Sequence, residues 1–410
     1  MKKVVLSSLM TSSMLMAGGY KTPENSLNAV ALSAANIAHN KSADAAYYNP
    51  ANMVFMEDKH IVELDLTYIG LDRVEYRGKV SSSGSYSLES KKESFIVPNL
   101  HYVSGRAGET RIGLSIVVPA GLSKRWQSEP AKTSAEEFTL EVIEINPTVA
   151  IPVNDKLSVA FGFRIVHTSG VVKSDGTALV GPSTYSKITR DMTGDGISYG
   201  YNLALAYKPT NELELATTYR SKVNLNSEGN AKLSSLLDGA TYNGGGEVFV
   251  PLPALFSAAV AYTLPSQTTI ELVYERVMWS AYKDLDFDYD GALNSAILIG
   301  AFDNAKPKNW KDTNTFRLGI TQELDTMTLM AGVVYDESPA PDATIGFELP
   351  DSNSFALSFG GRYKIGDSME VGLATLYSMR ENRKIRSSTL DGEFSGGDVL
   401  IVSTGLSYKF

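Results

Sequence analysis

The sequence contains no cysteine. A small exported domain ordinarily depends on disulfides, so a chain without them finds its rigidity in a large hydrogen-bonded framework. No internal run approaches the roughly 20 apolar residues that a membrane-crossing helix requires, and a mean hydropathy of −0.09 excludes a helical membrane protein. Positive charge is also short: 37 Lys and Arg stand against 46 Asp and Glu, for a formal net charge of −9. Without a basic run, nucleic acid is excluded as a partner, because phosphate recognition needs a clustered positive field. Histidine is scarce, and His39, His60, His101 and His167 have neither metal-ligand spacing nor an accompanying G-x-S-x-G turn. No enzymatic activity, metal or cofactor is therefore expected. Asp284, Asp286, Asp288 and Asp290 alternate, but without the EF-hand ligand pattern and its glycine they read as a solvated acidic loop.

What the sequence does have begins with Lys2 and Lys3, an apolar stretch and the small cluster Ala17-Gly18-Gly19. That is the form of a secretory signal peptide, with maturation placed near Ala17, within about two residues. Glycine (34), tyrosine (21) and phenylalanine (15) lean towards many strands and turns. From His60 onward, windows alternate apolar and polar with period two. About fourteen such windows can be counted, near 60–75, 87–103, 110–120, 137–151, 156–172, 190–208, 212–226, 246–263, 267–286, 311–324, 326–337, 353–365, 367–381 and 398–410, with ends good to about three residues.

Brief connectors (SGRAGE, PVND, KPTN, LPSQ, LDT, IGD) alternate with long polar or Gly-rich ones at 121–136, 173–189, 227–245, 287–310, 338–352 and 382–397. Strands running up and down through a bilayer give this pattern, with tight turns at one end and large loops at the other. Every unpaired backbone group facing lipid costs several kcal/mol, so such a sheet must close on itself. The expected fold class is all-β: a 14-stranded antiparallel transmembrane β-barrel with a small N-terminal helical hatch inside the lumen. Alternation turns Glu214, Arg220, Lys222, Glu271, Glu275 and Arg317 inward. Tyr68, Tyr102, Tyr207, Tyr262, Tyr363 and Tyr408, with Trp279 and Trp310, suit interfacial girdles. The final Ser-Tyr-Lys-Phe, ending at Phe410, resembles the terminal signal of bacterial outer-membrane barrels.

Between the signal and the first strand, Ser26 to Ile37 reads as a short helix capped by Ser26 and made almost wholly of small residues. Pro50 then fixes φ, removes a donor and pushes Asn49 into extended geometry. A small-residue helix followed by a rigid Asn49-Pro50-Ala51 corner fits a plug inside a barrel. The expected domains are 1–17 signal peptide, 18–58 hatch and 59–410 barrel.

This N-terminal stretch with its Asn49-Pro50-Ala51 bend, Val97-Pro98-Asn99-Leu100-His101-Tyr102, Tyr219-Arg220-Ser221-Lys222, Leu252-Pro253, Trp279-Ser280 and Tyr335-Asp336-Glu337-Ser338-Pro339-Ala340-Pro341 together resemble the FadL-type long-chain fatty acid transporters of Gram-negative outer membranes. The resemblance covers essentially the whole mature chain. It implies capture of a hydrophobic substrate by external loops, an internal pocket, and sideways release through a gap made by a kink in the third strand, next to the NPA turn. Pro119 and Gly121 supply a physical cause at the matching place, since proline lacks the N–H and glycine weakens a strand. The competing reading is that they simply end the strand.

Through the resemblance, Lys311 matches a position associated with the carboxylate headgroup, and Tyr20 an aromatic that the N-terminus inserts towards the pocket. A disordered terminus is the alternative for Tyr20. Arg317 points inward by alternation and reads first as a lumen charge paired with a carboxylate. Leu233, Leu236 and Leu237, with Ala178, Leu179 and Val180, are apolar where an external loop should be polar, as a capture groove or as the cores of small loop helices. The partners expected are a long-chain fatty acid or other hydrophobic ligand and outer-membrane lipid, with the chain a monomer. The function expected is passive import across the outer membrane; the alternative is a structural or adhesive barrel with a closed lumen.

Overall fold

A computed structural model describes residues 18–410 apart from 82, 83 and 182. The expected signal peptide, 1–17, lies outside the described residues. Fourteen wall strands follow one another around the barrel. They are β1 (Ile61–Leu71), β2 (Glu93–Val103), β3 (Arg111–Lys124), β4 (Glu137–Asn154), β5 (Leu157–Leu179), β6 (Tyr185–Tyr207) and β7 (Leu213–Arg220, continued by Val223–Ser235). After them come β8 (Thr241–Leu252, continued by Leu255–Thr263), β9 (Thr268–Val277), β10 (Thr313–Glu323), β11 (Met327–Asp336), β12 (Ser354–Ile365), β13 (Met369–Arg380) and β14 (Val399–Lys409). Each falls on one of the alternating sequence windows.

Closure is complete because β1 pairs antiparallel with both β2 and β14, in the second case without a break from Ile61↔Lys409 to Leu71↔Val399. Phe410 finishes the seam: His60 and Phe410 exchange both backbone hydrogen bonds at 3.0 Å, and their rings stack with centroids 5.2 Å apart. Outward positions carry Leu66, Phe161, Leu272, Phe316, Phe359 and Leu373, large apolar side chains left exposed because hydrocarbon replaces water around them.

Three expectations change. The connectors at 173–189 and 227–245 are partly strand, because β5 and β6 pair continuously from Leu157↔Tyr207 to Leu179↔Tyr185. Lys222 faces outward rather than into the lumen: β7 breaks at Ser221–Lys222, buried residues are even-numbered before it (Glu214, Ala216, Thr218) and odd-numbered after it (Val223, Leu225). Trp279 and Trp310 belong to no girdle, being buried in the barrel interior, whereas Tyr68, Tyr207, Tyr262, Tyr363 and Tyr408 do face outward.

The hatch fills the lumen with α1 (Leu27–Ala31), α2 (Ala45–Tyr48) and a 3-10 turn at Pro50–Phe55. Ser26 caps α1 as expected, accepting from the Ala29 N–H, but the helix ends six residues short of Ile37 because Ser33 and Ala34 turn left-handed (φ 50° and 60°). Wall contact decides this. Ser33 Oγ lies 2.8 Å from Ser358 Oγ, its carbonyl accepts from Arg317 at 3.0 Å, and an ideal Cβ at Gly332 would sit 2.3 Å from the Leu32 carbonyl carbon. Asp44 holds the hatch to itself, accepting from Ser26 Oγ (2.6 Å), Asn36 Nδ2 (3.1 Å) and Asn28 Nδ2 (3.5 Å). Glu271 holds it to the wall, accepting from the backbone N–H groups of Ile37, Ala38 and His39 at 2.7, 2.7 and 3.0 Å.

Candidate ligand cavities and the wall opening

At Pro119 the regular wall fails, for reasons visible in the residues. β2 and β3 pair over only four positions, Leu100↔Ile116 to Val103↔Gly113. Above these, Glu93–Asn99 and Val117–Lys124 form no ladder with each other, although β2 remains fully paired to β1 and β3 to β4. The β3–β4 register jumps between Val117 and Ala120, so Val118 and Pro119 together oppose Ile143 alone, a bulge that bends β3 inward. Pro98, a second residue without an N–H, sits in the open stretch of β2. Beyond the opening the edges meet again, with Lys91 N–H donating to the Arg125 carbonyl at 2.9 Å and a bridge between Ser90 and Trp126. The result is a bounded window in the wall, not a frayed end.

Backbone groups freed by the bend find partners inside the barrel. The Thr22 N–H donates to the Pro119 carbonyl (2.9 Å), the Gly121 N–H to the Tyr20 carbonyl (2.9 Å) and the Val118 N–H to Asn25 Oδ1 (3.2 Å). The N-terminal segment thus acts as a short inner strand against β3, with Lys21 bridging Ala120. Tyr48 ties this segment to the NPA corner: its hydroxyl accepts from the Asn25 N–H (2.8 Å) and donates to the Pro23 carbonyl (2.6 Å). Asn49 accepts from the Ala51 N–H (3.2 Å) and donates to the Ile37 carbonyl (2.9 Å), and the Ala51 carbonyl accepts from Ser158 on β5 (2.7 Å). Asn49, Pro50 and Ala51 are all buried, on the β5–β6 side of the lumen.

Two cavities flank the N-terminal segment. Of the two, the one nearer the long loops has the larger empty volume, about 890 Å³ with its opening to solvent counted in. Leu122, Phe138, Leu140, Val172, Met192, Leu225, Phe287 and Leu349 line it, with Tyr20 and Trp310 on one side. Tyr20 lies edge-on to Trp279 (4.7 Å between centroids) and tilted against Trp310 (5.8 Å), and its hydroxyl donates to the Pro251 carbonyl. The second cavity, about 760 Å³ with open solvent likewise counted in, is lined by Lys21, Thr22, Pro23, Tyr47, Tyr48, Pro119, Arg220 and Arg317. Residues 20–23 therefore stand between an apolar chamber and a chamber that reaches the kink.

The charges sort themselves plainly. Arg317 is paired with Glu275 (3.2 Å) and also donates to the hatch, the lumen-charge role read first from the sequence. Glu275 meets Lys21 at 2.7 Å as well. Lys311, in contrast, is exposed and lines neither cavity. The cation at the large cavity is Lys308, buried and ion-paired with Glu348. Burial alone would raise the Glu348 carboxyl, but the Lys308 ammonium outweighs it and holds that carboxyl below its ordinary value. Arg190 stacks on Phe287 from outside the cavity, its guanidinium carbon 4.7 Å from the ring centroid, with two nitrogens unpartnered among the described residues.

Strand alternation could not have found Lys308: residues 308–311 lie in no strand and Asn309 between Lys308 and Trp310 is left-handed (φ 46°), although Lys308 and Trp310 are both buried and Lys311 is exposed. Of the proposed capture leucines, Leu233 is buried with Ile188, Leu293, Leu298 and Phe302, while Leu236 and Leu237 are exposed at the tip of the β7–β8 hairpin. None of them lines the cavities.

Among the described residues no cluster of His, Asp or Glu is arranged to hold a metal. Along 400 residues the chain is 25% identical to the long-chain fatty acid transport protein of Escherichia coli K12, covering 88% of this chain and 87% of that one. Its fold matches the crystal structure of a Pseudomonas aeruginosa FadL homologue at a TM-score of 0.84, with 19% identity over 95% of this chain and 99% of that one. The Pseudomonas putida toluene transporter TodX superposes at 0.71, with 19% identity over 94% and 99%. The model of the outer membrane protein transport protein family (OMPP1/FadL/TodX) matches residues 8–410, and the chain belongs to that family of outer-membrane transport proteins, which are not enzymes.

Proposed function

We propose that this protein imports long-chain fatty acids or similar hydrophobic molecules passively, passing them from the large cavity to the second one and out sideways through the window between β2 and β3. The observation that carries the reading is the window itself, bounded at both ends and covered from inside by residues 20–22, which hydrogen bonds hold to β3. An apolar tail loses about 0.8 kcal/mol per CH₂ on entering water, so a long chain resists a wet axial channel, and sideways release avoids that cost. Displacing Tyr20–Thr22 joins the two cavities and uncovers Pro119 in one movement.

A carboxylate headgroup in the large cavity meets Lys308, and to bind there it competes with Glu348. This replaces Lys311 as the headgroup cation. Labelled oleate uptake by cells with and without the gene tests the reading; unchanged uptake of oleate and of aromatic hydrocarbons refutes it, and loss of host-cell binding on trimming the long loops would support an adhesive barrel instead.

A further inference from the structure

The large cavity is apolar on most of its surface, yet one strip of its wall is built differently. Gly170 of β5, Gly194 of β6 and Gly246 of β8 all line it, and β7 contributes Ser227 between the last two. The strip runs in register: Gly170 pairs with Gly194, Gly194 with Gly229, and Gly229 with Gly246. Side chains here would cover Ser227, since an ideal Cβ at Gly194 would lie 2.9 Å from Ser227 Oγ and one at Gly170 3.6 Å from it. The missing side chains leave the hydroxyl open to the cavity.

Beside it, on the inward face of β5, stands Thr168. It is 1% exposed, lines the same cavity, and its Oγ1 has no hydrogen-bond partner among the described residues. A buried hydroxyl without a partner is costly, so a position that keeps one beside apolar walls calls for a partner from elsewhere. Ser227 is buried too, and its hydroxyl forms no hydrogen bond among the described residues. Lys308 and Glu348 satisfy each other on another part of the lining.

We infer that the strip of Thr168 and Ser227 over Gly170 and Gly194 is a hydrogen-bonding shelf for an oxygen on the hydrophobic cargo, a hydroxyl or carbonyl distinct from any terminal carboxylate. This rests on the import reading and narrows it: the preferred cargo is an oxygenated hydrophobic molecule rather than a plain hydrocarbon chain. The hydroxyls accept or donate as the cargo requires, which makes the shelf tolerant of either oxygen type.

Calorimetric titration of the full chain, purified from outer membranes in detergent, with palmitate and with palmitates hydroxylated at successive carbons tests this. At least one hydroxylated acid should bind about five- to tenfold more tightly than palmitate, the worth of a hydrogen bond or two in a dry site. The Thr168→Val, Ser227→Ala double variant, which keeps shape and removes both hydroxyls, should lose that preference and bind palmitate and the hydroxylated acids alike. Equal binding of every acid to the unaltered protein, or a preference that survives in the double variant, overturns the shelf alone. Absence of binding by palmitate and its derivatives alike refutes the fatty-acid form of the import reading, and the shelf with it.

Discussion

Two seams of one barrel, separated by the β1–β2 ladder, differ completely. Between β1 and β14 the ladder runs unbroken from end to end; between β2 and β3 it holds for four positions and then opens. Both face the same bilayer, where an unpaired backbone group is expensive. The difference shows that a barrel wall tolerates an opening only where the freed groups are re-paired from within, here by Tyr20, Thr22 and Asn25 on the bent part of β3. Elsewhere wall side chains hold the hatch, Glu271, Arg317 and Ser358 among them, whereas on β3 it pairs with the strand's own backbone.

Making the second seam like the first has the largest expected effect. Deleting Pro119 removes the extra residue of the bulge and lets β3 run straight, so uptake of labelled oleate should fall to the level of cells lacking the gene while binding to the purified protein persists. Normal uptake in that deletion would break the comparison. Gly121→Trp, which fills the bent stretch without restoring the ladder, should block uptake less completely.

Loosening the hatch comes next. Asp44→Ala strands the Ser26, Asn28 and Asn36 donors, each buried, at about 1–3 kcal/mol for a group left unsatisfied. The variant should unfold at lower temperature and give liposomes a new permeability to small sugars; an unchanged swelling rate would show that the hatch is held by the wall alone.

Smaller changes concern the large cavity. Glu348→Gln frees Lys308 and should tighten palmitate binding several-fold, whereas Lys308→Met should weaken it by about tenfold and leave toluene binding unaltered. Because Lys308 holds the Glu348 carboxyl below its ordinary value, the pair outlasts mild acid. Its contribution is present above the ordinary carboxylate range and is lost only as pH falls through the depressed value. Binding of an alkyl sulfonate, charged at every pH used, should therefore strengthen only on strong acidification, and Glu348→Gln should flatten that profile. The smallest effect belongs to Lys311→Ala: its side chain is exposed and away from both cavities, so palmitate affinity should not change.

The barrel was legible because its code is local. A period of two, tight turns alternating with long loops and a terminal Phe410 each report on a few adjacent residues, and all fourteen strands fall where the alternation places them. The NPA corner was legible for the same reason, since Pro50 restricts its neighbours whatever surrounds them. The cavity was harder. Trp279 and Trp310 look alike in a girdle and in a lumen until strand ends are phased, and Lys222 changed faces because β7 breaks its alternation at one peptide.

By itself, then, the amino-acid order determined the medium, the sheet and the rigid corner, since burial preference, strand period and proline stereochemistry act over a handful of bonds. Only the tertiary structure decided which cation reaches the cavity, where α1 stops and how the bent strand is re-paired. Those outcomes join residues as far as 325 positions apart, such as Ser33 and Ser358, and depend on distances that no local pattern encodes.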